Sequence, residues 1–339
     1  MKKYEIDGQE YWLPSRLNDF QLQMYVHLIN WKWKHITRER GLSGGLEYDA
    51  ILPDRYADAL KVVYPDIIPA VKAHQSKFLF RIHKFFNHMA SSQAANINLF
   101  IPILTHRDAN QVLNAINPQF DRLATDQLDK GWRIEYWDEP FGTLGDKTDI
   151  SGTDSDIGIA YYNKAGELCL WLIEHKLTEA EFTTCGGYKS KGRKPRHDCS
   201  QCYADILAKK EICYYHDVKK FNYWNITGAN SSFFVNHADY ESCPFVAGEN
   251  QLWRNQILAL AIEQDDRQPY KHVHFSVVKH PRNTALDTTL ASYSHLIGNN
   301  PKFNTFSSLD LVLAAEAVKD KGLENWITWY KDLYMLQEK

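Results

Sequence analysis

The chain reads as a mixed α/β or α+β fold, and three observations carry that expectation. Apolar residues recur at three- and four-residue spacing through roughly the first 130 positions, which is helical patterning. From Trp132 the pattern changes to short apolar runs at 132–137, 157–162 and 168–173, each of strand length. Helical patterning returns at 250–262 and again from Ser308, with one more strand at 272–278 between them. Strands flanked by helices on both sides in sequence indicate layered architecture with a helical N-terminal region.

Each element has a local cause. The stretch 20–36 carries apolar and aromatic residues on one helical pattern, and 56–63 repeats it until Pro65 interrupts. Ser91 or Ser92 can cap a helix running through Ala94, Ile97, Leu99 and Phe100, which Pro102 should end or kink. In Lys164-Ala165-Gly166 the glycine supplies the left-handed position of a three-residue hairpin loop. A polar, cysteine-bearing insertion at 183–245 precedes the helix at 250–262, where Leu252, Ile257, Leu258 and Ala261 fall near one face. The expected division is a helical region over 1–85, a core over 86–290 that includes the insertion, and C-terminal helices over 291–339 packed on that core.

With 339 residues, 44% hydrophobic and 24% charged, the chain can bury a full core and is neither disordered nor fibrous in composition. The first residues turn polar where a secretory signal needs an apolar stretch, and no run approaches the ~18 apolar residues that span a bilayer. A soluble, cytoplasmic protein with no membrane partner is the expectation. Six cysteines without a secretory signal are buried thiols or metal ligands before they are a disulfide framework. The net charge of −3 says nothing about nucleic acid, because binding needs a local positive footprint and not a basic total.

The hairpin holds the chemistry. Facing residues of an antiparallel pair keep a constant sum of residue numbers, so a loop that sets Asn163 opposite Glu167 sets Asp156 opposite Glu174. Alternation then puts Lys176 on the face of Glu174 and His175 on the other. Facing carboxylates repel unless a cation lies between them. Magnesium, or manganese, prefers carboxylate oxygens, keeps several waters and suits phosphate chemistry. A surface salt bridge decorating the hairpin end explains the same residues at little energetic worth.

Thr153-Asp154-Ser155-Asp156, followed by the strand and Ile173-Glu174-His175-Lys176, resembles the active-site signature of the PD-(D/E)XK nuclease superfamily, the restriction-endonuclease-like fold. The E-x-K half matches; the proline before the first aspartate is absent, and Asp154 competes with Asp156 for the first acidic position. Ser91-Ser92-Gln93-Ala94 continuing to Asn98-Leu99-Phe100, and Gln251-Leu252-Trp253-Arg254-Asn255-Gln256, resemble motifs of an uncharacterised bacterial branch. The resemblance implies a mixed central sheet flanked by helices. It also implies Asp156, Glu174 and the main-chain carbonyl of His175 as metal ligands, with Lys176 beside the attacking water. Many members add a glutamate from the helix before the hairpin. Here 91–100 offers Gln93 and no acid, so Gln93 is the candidate for a bound water or a phosphate. Gln251, Arg254 and Asn255, three and four apart on one helix face, can reach DNA phosphate or brace the site.

Cys185, Cys199, Cys202 and Cys213 fall within 29 residues, and the two-residue gap in Cys199-Ser200-Gln201-Cys202 suits a thiolate pair on one metal. Zinc is the default in a small polar insertion, an iron–sulfur cluster uses the same ligands, and His197 can replace one cysteine. Between Thr184 and Lys220 nine basic residues stand against four acidic ones. Lys189, Lys191, Arg193, Lys194 and Arg196 are the candidates for the DNA backbone, and a solvated lysine-rich loop explains the same run. Tyr214-Tyr215 and Phe221-Asn222-Tyr223-Trp224 are compatible with base stacking and equally with core packing. His272, His274 and His280 read as strand-surface histidines rather than ligands.

These expectations describe a metal-dependent deoxyribonuclease that hydrolyses phosphodiester bonds, with restriction, phage defence or DNA repair as roles that follow from the resemblance alone. The rivals are a non-catalytic nucleic-acid-binding module and an interaction subunit that works beside a partner, the latter suggested by Tyr25, Trp31 and Trp33. A homodimer suits an enzyme that cuts both strands.

Overall fold

The computed structural model describes residues 2–147 and 152–336. The N-terminal region is helical, as expected, and adds two hairpins that the pattern did not reveal. Its elements are β1 (Lys2–Ile6), β2 (Gln9–Leu13), α1 (Asp19–His35), β3 (Gly41–Ser43), β4 (Leu46–Tyr48), α2 (Asp54–Asp58) and α3 (Ile68–Lys77). The core follows with α4 (Ser92–Leu104), α5 (Ala109–Ile116), β5 (Phe120–Leu123), β6 (Trp132–Tyr136), β7 (Ser155–Asn163) and β8 (Leu168–Lys176). The insertion contributes α6 (Tyr203–Ala208), α7 (Tyr214–Asp217) and α8 (Tyr223–Ala229). After it come α9 (Glu249–Gln264), β9 (His272–Lys279), α10 (Asp287–Leu296), β10 (Phe303–Ser307), α11 (Ser308–Val318) and α12 (Lys321–Leu333).

Six strands form one mixed sheet in the order β10-β9-β8-β7-β5, with β6 also on β7. The β5, β6 and β8 pairings with β7 are antiparallel, whereas β9 runs parallel to both β8 and β10. Helices cover both faces, which is why β7 and β8 read as nearly continuous apolar runs. Ile157, Ile159, Tyr161, Trp171 and Ile173 pack against α4, α11 and α12 in one core. Ala160, Leu170 and Leu172 join α9 and α10 in the other.

One helix expectation changes. The pattern at 56–63 is not one helix, because Leu60 adopts φ 54° and turns the chain; Leu60, Val62 and Val63 pack into the core from irregular backbone instead. The helix α4 ends at Leu104, two residues past Pro102. The proline's missing N–H leaves the Asn98 carbonyl without a helical donor, and the Trp326 indole N–H of α12 fills that position at 2.7 Å. Ser91 caps this helix by accepting from the Ala94 amide.

Nor is the insertion as polar as its sequence suggests. Tyr203, Tyr223, Trp224, Phe234 and Phe245 are buried and pack with Trp253 of α9. The aromatic runs proposed for base stacking are therefore partly interior. Trp31 donates to Asp332 at 2.8 Å and Trp33 stacks on Tyr11, so these aromatics make internal contacts and do not form an exposed patch. Among the described residues no helix is long and apolar enough to cross a membrane.

Candidate active site

The loop 164–166 closes as expected, with Gly166 at φ 77° and the Asn163 amide donating to the Glu167 carbonyl at 3.0 Å. The register it sets pairs Ile157 with Ile173, which leaves Asp156 and Glu174 facing at the open end. On the other side of β7, Ile134 pairs with Ile157 and Tyr136 with Ser155, so Glu135 stands opposite Asp156. Three neighbouring strands thus present Glu135, Asp156 and Glu174 in one row across the sheet. Glu135 holds φ 51°, a left-handed value uncommon outside glycine and frequent at functional sites. The side-chain alternation flips there, since Trp132 and Ile134 join one core and Tyr136 the other. Gly158 permits this, because a Cβ there would lie 2.8 Å from the Tyr136 ring.

Each acid is held by the protein. The Asp156 carboxylate accepts the His175 amide at 2.6 Å, and its own carbonyl accepts Asn96 of α4. Glu174 is 5% exposed and takes three side-chain donors: Lys176 at 2.8 Å and Gln251 at 2.6 Å on one oxygen, Asn255 at 3.0 Å on the other. Asp154 pairs with Lys147 at 3.5 Å. Gln93 donates to Glu135 at 2.8 Å and to the Arg81 carbonyl, and accepts the His83 amide. These carboxylates open into a cavity of about 1350 Å³, larger than the usual small-molecule pocket and suited to a polymer strand.

The electrostatics are those of crowded acids. Burial, then the charge of Asp154, raises the Glu135 carboxyl to about 8. Burial and the neighbouring Glu174 and Glu135 push Asp156 well above the usual carboxylate range, and burial raises Asp154 despite Lys147. Burial alone would lower the Lys176 ammonium, but Glu174, Glu179 and Asp156 more than offset it and the group stays charged. Lys176 is therefore a cation and hydrogen-bond donor, not a base. Among the described residues no three of these acids bring oxygens within 4.8 Å of one another.

The structure brings Asp156, Glu174, Gln93, Gln251 and Arg254 to one cavity, with Lys176 and Asn255 behind it on Glu174. Gln251, Arg254 and Asn255 brace it. Asn255 is 2% exposed and is committed to Glu174, and Arg254 bonds Thr153 at 3.0 Å and lies 3.5 Å from Asp146. Glu135 was missed because an acid was sought on α4; its signal is that it is the lone acid in an otherwise apolar and aromatic strand with one arginine. In the basic loop, Arg193 donates to the His197 and Tyr188 carbonyls and Arg196 pairs with Asp217, while Lys189, Lys191 and Lys194 are exposed. His175 is buried and held down to about 3 by burial, on the face away from Glu174. His272 does have an acidic neighbour, Glu167 at 2.9 Å, and His280 is buried against the Tyr334 carbonyl.

No three cysteine sulfurs among the described residues lie within 4.8 Å of one another. Cys202 is directed to Asp205 at 3.2 Å, and His197 to Asp217 at 2.7 Å. A candidate His/Asp metal-binding triad does exist elsewhere: His106, Asp108 and Asp320 at the ends of α4, α5 and α12. Arg107 pairs with both of its carboxylates, so a cation there would compete with a guanidinium.

No curated protein and no solved structure matches the chain. One family does, the one described as "Restriction Endonuclease associating with ARP" (REase-ARP), over residues 34–335. That span takes in the N-terminal region beyond α1, the whole six-stranded sheet and the insertion, and so the chain belongs to the REase-ARP family, a PD-(D/E)XK-like, restriction-endonuclease-associated group.

Proposed function

We propose that this protein is a metal-dependent deoxyribonuclease that hydrolyses phosphodiester bonds at the row Glu135, Asp156 and Glu174. The observation that carries the proposal is the facing pair Asp156 and Glu174, with the Lys176 ammonium on Glu174, in the lining of a cavity of about 1350 Å³. Raised carboxyls crowded together are the chemistry of a divalent-cation site, since a cation favours their ionised form. Asp156, Glu174 and the His175 main-chain carbonyl would hold magnesium or manganese, which supplies Lewis-acid polarisation of the scissile phosphate and a lowered pKa for water.

The chain's own residues do the rest. Gln251 and Asn255 fix both oxygens of Glu174, so the carboxylate cannot rotate away. Lys176, charged and 8% exposed, places a positive charge where negative charge develops on the phosphate oxygens. Gln93 holds Glu135 at the row's outer end, where a raised carboxyl near neutrality can give or take a proton. Arg254, and the exposed Lys189, Lys191 and Lys194, supply positive charge for the DNA backbone. The family's description, which names a restriction endonuclease, supports DNA over RNA, and its mention of ARP makes that partner the natural addition to a reconstituted assay.

Cleavage of supercoiled and linear DNA with magnesium, manganese or chelator tests this, alongside Glu174→Ala and Lys176→Ala. Metal-dependent cutting that each substitution lowers by at least about 100-fold is expected. Folded variants that cut as well as the parent would remove the hairpin from the mechanism, and DNA binding without cutting, alone and with ARP, would leave a binding module.

A further inference from the structure

The cysteines of the insertion come together, but as a different set from the one their spacing suggests. Residues 183–202 contain no helix or strand, yet Cys185, Gly187 and His197 are buried within them. Twenty residues of irregular backbone need some other tie. Three contacts gather them. The Cys185 amide donates to the Val246 carbonyl at 3.0 Å, and the Cys243 amide to the Cys199 carbonyl at 3.1 Å. Gly186 and Gly187 lie against Tyr214 and Tyr215, next to Cys213, so closely that a Cβ on Gly186 would lie 2.9 Å from the Tyr215 hydroxyl. The segments bearing Cys185, Cys199, Cys213 and Cys243 therefore converge. Cys202 does not join them, being engaged with Asp205.

Tyr188 donates to the Cys185 sulfur at 3.3 Å. Burial raises all four thiols as they stand, Cys199 to about 11, and the neighbouring thiols add to the shift of Cys199 and Cys243. A cation held among them would reverse that direction, because the thiolate is the form that binds metal.

We infer that Cys185, Cys199, Cys213 and Cys243 form a four-thiolate metal centre that holds the irregular half of the insertion to its helical half. A single tetrahedral zinc draws its sulfurs to about 3.8 Å of one another. No three cysteine sulfurs among the described residues lie within 4.8 Å of one another, so zinc would need them drawn together, whereas an iron–sulfur cluster binds its thiolates through different irons. Zinc and cluster share the same ligand chemistry, and metal content separates them. The inference is independent of the nuclease proposal, because the centre lies in the insertion and its readout is metal, not cutting.

The full chain, purified without a metal-affinity tag, is assayed for zinc, iron and acid-labile sulfide and for visible absorbance. Cys243→Ser and Cys202→Ser are run beside it. Either one zinc or one iron–sulfur cluster per chain is expected, lost at least tenfold in Cys243→Ser and retained in Cys202→Ser. A mercurial titration of the unsubstituted protein, releasing the metal as four thiols react, answers the case in which Cys243→Ser fails to fold. Absence of metal, equal metal in the parent and Cys243→Ser, loss in Cys202→Ser alone, or a titration that frees none would each overturn the assignment.

Discussion

Glu174 is the most constrained side chain of the site, with three donors on two oxygens, so neither oxygen of this buried carboxylate is left without a partner. Glu135 is the opposite case. In the unfolded chain it ionises near ~4.3, and in the folded protein at about 8. Between those values the folded state keeps a proton that the unfolded state has lost, so stability falls as pH rises through the window and the penalty is complete above about 8. Asp154 and Asp156 shift in the same direction. The metal-free protein is therefore expected to melt lower at about pH 9 than at about pH 6, with Glu135→Gln flattening the decline and magnesium raising the melting temperature more at the higher pH. A melting profile indifferent to Glu135→Gln would show that this carboxyl is not the strained one. Asp156, Glu174 and Lys176 could be placed from sequence because a tight turn fixes register arithmetically. Glu135 could not, since a left-handed residue in mid-strand follows from no local pattern.

The hairpin β7–β8 and the helix α9 were legible because each is long and rich in apolar residues. The short hairpins β1–β2 and β3–β4 were not, their strands being only three to five residues and largely exposed. The helix α4 shows how the gap left by a proline is filled from afar, since nothing near Pro102 announces that an indole from α12 will take the Asn98 carbonyl. Trp326→Phe keeps most of the packing and leaves that carbonyl buried without its donor. A loss of about 1–3 kcal/mol is expected in urea unfolding, with little change in the slope. An unchanged midpoint would mean that another donor replaces the indole.

Two apolar cores share one sheet, so β7 and β8 are covered on both faces. The layered class was readable from element order, but the strand order was not, because the β8-to-β9 crossover passes through the whole insertion and returns parallel. The helix α12 seals the first core with Trp326, Tyr330 and Leu333 and touches α1 through Trp31 and Asp332. A chain ending at Val318 is expected to lose that seal and to appear mainly in the insoluble fraction on expression, where comparable soluble yield would show α12 to be dispensable. The insertion has a mechanical meaning as well. It leaves the sheet directly after Lys176 and re-enters at α9 just before Gln251, whose amide also ties back to Thr183 while gripping Glu174. Both ends of this lever thus meet the same carboxylate through Gln251, so a displacement of Thr183 is felt at Glu174.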